Sequence, residues 1–359
     1  MKGRKIIVRI KKIRELLLNN GIEAIIVESP INVYYLSGFT GTNATLFITQ
    51  NTNYLLTDFR YVEQAEKQTT GFQIIRVDDD PYKKIKELSQ GIHLIGIEDE
   101  HVTWSKYSKM REVLNEKDLA ETSEILKNMR KVKDEQEIAA IREAIKITDN
   151  AFNTIIEKIK PGTAEEDIAV ELEFLLRKSG ASGKSFDFII ASGWRSALPH
   201  GVATEKRIAK NEFIVLDFGA IYKRYCSDLT RTVFVGEPSA KHVEIYNIVL
   251  EAQLAAIDRL KPGMSGKEVD SIARDIIKKK GYGDYFGHGL GHSVGLEIHE
   301  EPRLSPREEK IIEPGMIITV EPGIYIPNWG GVRIEDIVLV TKNGVEVLTQ
   351  AQKQFIIID

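Results

Sequence analysis

The chain has 359 residues, 42% hydrophobic and 28% charged, with 49 Lys and Arg against 53 Asp and Glu. A formal charge of −4 offers no bulk attraction to nucleic acid or anionic lipid, and no apolar run approaches the ~20 residues that cross a bilayer. A single cysteine, Cys226, excludes an intrachain disulfide and a thiolate zinc site.

The length favours two domains. The first residues, to Lys12, are basic but lack the apolar core of a signal peptide, so a cytoplasmic location is expected. "IRELLLNNG" carries apolar residues at helical spacing and stops at Gly21, and "EAIIVE" follows as a buried strand. "TLFIT", "NYLLT", "FQIIRV" and "HLIGIE" predict further strands, and Tyr61 to Gln68 a helix. This is an α/β unit without a catalytic cluster, and the boundary falls near residue 128, giving domains over 1–128 and 129–359. Asp134 caps a long amphipathic helix expected to reach about Lys160, before Pro161 and Gly162.

The second domain repeats itself. "IKPGTAEEDIAVELEFLLRKSG" (159–180) and "LKPGMSGKEVDSIARDIIKKKG" (260–281) share Lys-Pro-Gly, the apolar positions after it and a closing glycine, offset by 101 residues. "IVLDFGAIY" (214–222) and "IITVEPGIY" (317–325) also correspond, each an apolar strand ending in an acid. Two copies point to a duplicated domain with a site at its pseudo-two-fold interface, because a solenoid needs at least three.

Each half supplies two acids from neighbouring strands: Asp217 and Asp228 in the first, Glu321 and Glu335 in the second. Four carboxylates converging on apolar strands repel one another and raise one another's pKa values unless cations neutralise them. Two divalent ions balance the charge. Oxygen ligands completed by one imidazole suit Mn²⁺, Co²⁺, Fe²⁺ or catalytic Zn²⁺. "GHGLGHSVGLEIHEEP" (287–302) gathers His288, His292 and His299, three of the seven histidines. The HxxxH spacing lacks the glutamate of HExxH and is rich in glycine, which excludes a zincin helix. Spacing alone does not select the ligating histidine.

The ordered set Asp217, Asp228, His292, Glu321, Glu335 resembles the five ligands of the dinuclear pita-bread metallopeptidases, which include prolidase, aminopeptidase P and methionine aminopeptidase. "NVYYLSGFTGT" and "LLTDFRY" resemble the creatinase-type N-terminal domain of prolidases and aminopeptidases P. The resemblance spans essentially the whole chain. It implies a creatinase-like α/β domain before a pita-bread catalytic domain, and two divalent ions per subunit, manganese or cobalt before zinc or iron. It makes His292 the metal ligand and His200, His288 and His299 substrate-side histidines. The implied reaction is metal-dependent hydrolysis of Xaa-Pro bonds in dipeptides or short peptides, with Glu321 as proton acceptor and His200 and His299 beside the developing oxyanion. Arg333 is expected to orient a ligating carboxylate, and Arg303 to grip a dipeptide's free carboxylate, favouring a dipeptidase over an aminopeptidase. A homodimer is likewise implied. A metal-free creatinase-like amidinohydrolase and a catalytically inert binding protein are the rivals; the complete ligand set argues against both. His93, His101, His242 and Cys226 are expected to be structural.

Overall fold

The computed structural model describes residues 2–359 and divides them into two compact units, Met1–Met129 and Arg130–Asp359. In the first unit α1 (Lys2–Asn19), β1 (Ala24–Val27), α2 (Pro30–Ser37), β2 (Thr45–Thr49), β3 (Asn53–Thr57) and α3 (Val62–Gln68) follow one another. β4 (Gln73–Arg76), α4 (Pro81–Leu88), β5 (Leu94–Ile97), α5 (Trp104–Val113) and β6 (Asp118–Glu121) complete it, and α6 (Ser123–Lys131) crosses the division. The strands form one sheet in the order β4-β3-β2-β1-β5-β6. Ile26, Phe47, Leu56, Ile95, Ile97 and Met110 pack into its core. Asp80 is buried and caps α4 by accepting from the Tyr82 amide at 3.0 Å.

The second unit opens with α7 (Glu135–Ile155), started by a capping box in which Asp134 accepts from the Gln136 and Glu137 amides. The helix ends at Ile155, short of the expected Lys160, because the chain tightens into turns before the Lys-Pro-Gly corner. α8 (Glu165–Lys178), β7 (Gly183–Lys184), β8 (Ile189–Ser192), β9 (Glu212–Phe218), β10 (Ala220–Tyr222), β11 (Tyr225–Cys226) and β12 (Leu229–Val235) finish the first half. The second half runs through α9 (Ala240–Arg259), α10 (Gly266–Lys279), β13 (Gly291–Ser293), β14 (Glu300–Leu304) and β15 (Ile317–Val320). β16 (Gly323–Ile326), β17 (Gly330–Arg333), β18 (Asp336–Val340), β19 (Val345–Val347) and β20 (Ile356–Ile358) close the chain.

The duplication read from the sequence is visible in these bounds. α8 and α10 begin and end 101 residues apart, and the turns before them use Gly162 and Gly263 at φ of 91° and 92°, a left-handed conformation natural to glycine. β9 pairs antiparallel with β12 as β15 does with β18, bringing Asp217 opposite Thr230 and Val320 opposite Asp336. His242 fills a structural role, its ring stacked on Trp329 at 4.9 Å and its Nδ1 bonded at the Ser239 cap.

β12 and β17 belong to different sheets, and side chains stitch the halves together between them. Thr232 Oγ1 donates to the Arg333 carbonyl at 2.8 Å and accepts from its amide at 3.1 Å, while the Glu335 amide donates to the Thr230 carbonyl at 3.1 Å. Arg231, 1% exposed, donates to the carbonyls of Thr230, Glu335, Ala351 and Gln352 and pairs with the equally buried Asp336.

Candidate metal centre

The four acids and His292 converge inside the second unit. Asp217 is the sixth residue of β9, and its carboxylate accepts from Arg333 Nη2 at 2.5 Å. The other three are not within strands, contrary to the sequence reading. Asp228 lies in the break between β11 and β12, Glu321 follows the last residue of β15, and Glu335 lies between β17 and β18. A break frees each acid from the alternation of a ladder, so it can turn inward beside apolar neighbours.

Glycine makes the approach possible. A Cβ on Gly291, beside His292, would stand 2.0 Å from the Thr319 carbonyl oxygen, and one on Gly219, near Asp217, 2.0 Å from that of Ser227. At Gly291 the glycine of the histidine run therefore has a steric cause.

His292 Nδ1 lies 3.1 Å from the Ser293 carbonyl, and an Nδ1–H donated there leaves the Nε2 lone pair facing the acids. Nε2 is 3.4 Å from Glu321 Oε1 and 3.6 Å from Asp228 Oδ2. These contacts are not ion pairs, because burial first, and then the neighbouring His299, push the imidazole down to about 3. Atoms of Asp228, His292 and Glu335 lie within 4.8 Å of one another.

Burial, ahead of mutual repulsion, raises Asp228 and Glu335 well above the ordinary carboxylate range. Glu321 is pushed up to about 7, burial again leading while Arg333 opposes. Arg333, 3% exposed, bonds to one of the acids directly, and that acid is Asp217 rather than the nearby Glu335.

Asp228 Oδ1 and Glu335 Oε1 are buried and accept no hydrogen bond. Orphaned carboxylate oxygens facing a neutral imidazole are expensive in a protein and are the donor set that hard or borderline divalent cations take. The residues present thus fit the metal ions expected there.

Three further side chains complete the site and were missed in the sequence. Thr230 Oγ1 donates to Glu335 Oε2 at 2.8 Å and Thr319 Oγ1 to Glu321 Oε1 at 3.1 Å. Tyr325 accepts from Arg333 Nη1 at 2.8 Å, and its hydroxyl lies 2.8 Å from His288 Nε2. The only signals for them were their places beside the acids, within "LTRT", "ITVE" and "PGIY". With Nδ1 on the Gly289 carbonyl, His288 has both ring nitrogens engaged, and burial lowers it to about 4.

The acids open into a cavity of about 530 Å³, also lined by His200, His288, His292, His299, Arg303 and Arg333, with Phe186, Ile189, Pro199, Val202 and Ile298 supplying apolar wall. His200 and His299 are exposed, and the His299 ring meets the His292 ring edge-on at 4.4 Å. Arg303 is exposed on β14, paired in register with His292. All ten residues singled out in the sequence thus border one space. Cys226 is buried away from this lining, its thiol pushed up to about 12 by burial.

A duplicated α/β unit holding a buried oxygen-rich cluster that suits metal ions defines the class, and comparison with known proteins agrees. Residues 139–342 match metallopeptidase family M24, and residues 9–132 match the creatinase/prolidase N-terminal domain. The chain belongs to metallopeptidase family M24, with a creatinase-like N-terminal domain before the pita-bread domain. It is therefore a peptidase, and the family works with divalent metal ions. It is similar to the Xaa-Pro dipeptidase of Pyrococcus horikoshii, 42% identical over 97% of this chain and 98% of the relative. Among solved structures it resembles an Xaa-Pro dipeptidase from Bacillus anthracis (TM-score 0.96, 47% identity, 98% and 99% of the two chains covered). It also resembles an X-Pro aminopeptidase from Thermotoga maritima (TM-score 0.89, 40% identity, 94% and 98% covered).

Proposed function

We propose that this chain is a dinuclear metallopeptidase that hydrolyses Xaa-Pro bonds, acting as an Xaa-Pro dipeptidase. The observation that carries it is the cluster of four carboxylates, three buried and two with orphaned oxygens, around a neutral imidazole at one cavity. Asp217, Asp228, His292, Glu321 and Glu335 hold the two ions, manganese or cobalt before zinc or iron. Divalent ions bound there supply Lewis-acid polarisation and a water acidic enough to attack near neutral pH.

The chain's own groups do the rest. Glu321, 17% exposed at its side chain against 7% for Asp228 and 12% for Asp217, is the acid most open to the cavity. It takes the proton of the attacking water and returns one to the leaving proline nitrogen. His200 and His299 donate hydrogen bonds to the carbonyl oxygen as charge develops on it. Arg333 fixes the Asp217 carboxylate, and Thr230 and Thr319 fix Glu335 and Glu321. Phe186, Ile189, Pro199, Val202 and Ile298 give the proline ring an apolar seat, and Arg303 pairs with the dipeptide's terminal carboxylate.

The similarity to an X-Pro aminopeptidase supports a second reading, cleavage of longer peptides. Assaying Xaa-Pro against Xaa-Pro-Yaa peptides with added manganese separates the two: turnover of the dipeptide is expected, and turnover of the longer substrate alone selects the aminopeptidase. Activity that survives complete chelation would return the metal-free amidinohydrolase to contention, and no turnover of any peptide with manganese or cobalt supplied would return the inert binder. We also place the protein in the cytoplasm as a homodimer; among the described residues no helix is long and apolar enough to cross a membrane.

A further inference from the structure

Glu165, the first residue of α8, is fully buried, lies outside the metal cluster and the cavity lining, and collects five hydrogen bonds. Oε1 accepts from the Ser192 amide at 2.7 Å and hydroxyl at 2.8 Å. Oε2 accepts from the Thr204 amide at 3.2 Å, the Thr204 hydroxyl at 3.0 Å and Arg195 Nη1. Ser192 and Thr204 are the two ends of the segment that carries His200, so one carboxylate holds both.

Between those ends Gly193 and Ser196 are buried, with Ser196 Oγ accepting from the Gly331 amide at 2.8 Å, but the arm that follows has less to pack on. Trp194, Leu198 and Val202 are 54%, 42% and 49% exposed, and His200 is exposed as well. A brace holds that arm. Arg195 spends one nitrogen on Glu165 and donates the other, Nη2, to the Val202 carbonyl at 2.8 Å, tying the arm beside His200 to the buried acid. Arg333 Nη1 reaches the Pro199 carbonyl at 3.3 Å from the metal side.

We propose that Glu165, acting through Arg195, is a positioning residue that closes the His200 segment and sets where that imidazole stands in the cavity. The proposal rests on the reading of His200 as a substrate-side hydrogen-bond donor. A glutamine at 165 keeps the shape but turns an N–H₂ toward amides and hydroxyls that need an acceptor, so one end of the segment is released. Small displacements of a positioned group cost rate steeply, up to about 100-fold for an ångström.

The test compares wild type, Glu165→Gln, Arg195→Lys, His200→Ala and the Glu165→Gln/His200→Ala double variant, on an Xaa-Pro dipeptide with manganese. Glu165→Gln is expected to lower kcat about 10- to 100-fold with manganese content unchanged. In the His200→Ala background the same change should cost less than about twofold, because the positioned group is gone. Arg195→Lys, which keeps the charge but cannot span both partners, should fall between wild type and Glu165→Gln. Amide exchange in metal-free protein should accelerate across 193–203 and not in β9 or β12. Additive losses in the double variant, or loosening spread equally over those strands, would overturn the proposal. If Glu165→Gln fails to fold, Arg195→Lys carries both readouts. Should wild type cleave no Xaa-Pro substrate while exchange still quickens at 193–203, the function reading fails and the clasp stands.

Discussion

Replacing Glu321 with glutamine in metal-free protein tests the electrostatics of the centre without relying on turnover. Burial raises the Glu321 carboxyl from 4.5 to about 7, so the folded chain prefers it protonated and the unfolded chain does not. A raised folded-state value gives a contribution that is full below the unfolded value and is lost as pH rises through about 7. Glutamine mimics the protonated form at every pH. The variant should therefore exceed wild type in stability by roughly 1 kcal/mol at about pH 5 and roughly 3 kcal/mol at about pH 8, at about 1.4 kcal/mol per unit. His292 and His288, held down to about 3 and about 4, bring the opposite pH dependence, but both proteins carry them and the difference between variant and wild type removes them. Calorimetry in chelator at the two pH values reads the effect in the transition that manganese shifts. Saturating manganese should reverse the order, because the variant lacks one anionic ligand. An advantage equal at both pH values, or none, would show that Glu321 is not a carboxylate strained by burial.

Arg231→Leu should cost about 3–5 kcal/mol in urea unfolding, since Asp336 and four carbonyls lose a buried donor. Lys11→Ala, at a pair whose side chains are 79% and 62% exposed, should change stability by under about 1 kcal/mol; equal effects would contradict the burial argument. Gly291→Ala should weaken manganese binding measured by calorimetry, because its Cβ falls 2.0 Å from the Thr319 carbonyl and must push His292 aside; unaltered affinity would mean the strand yields without cost. Arg303→Ala should raise KM for an Xaa-Pro dipeptide about tenfold or more and leave a tripeptide nearly unaffected, and an equal rise for both would remove it from carboxylate recognition.

The architecture was legible where chemistry repeats along the chain. Lys-Pro-Gly corners with left-handed glycines announce α8 and α10 at their common offset, and acids stand out when they interrupt apolar runs. The identity of the ligating histidine came from resemblance, since His288 and His292 are equivalent by spacing. The strand breaks at Asp228 and Glu335 were not legible, because a break is set by what the two halves press against each other. Thr230, Thr319 and Tyr325 are ordinary strand residues until cross-strand neighbours give their hydroxyls partners. Glu165 reads as one more acid in a first helical turn, and its five donors come from residues 27 to 39 positions away.

The join between the two halves has a consequence for how such a chain can be rebuilt. Beside the single peptide bond from Glu335 to Thr230, its rungs are threonine hydroxyls and one guanidinium, so the fit of copy to copy is written mainly in side chains and not in a peptide ladder any sequence can form. A hybrid taking residues up to the end of β12 from this protein and the remainder from a distant cousin would inherit half of a matched code. Recombination across that point should succeed only between parents that agree at 230, 231 and 232, however well their separate halves fold.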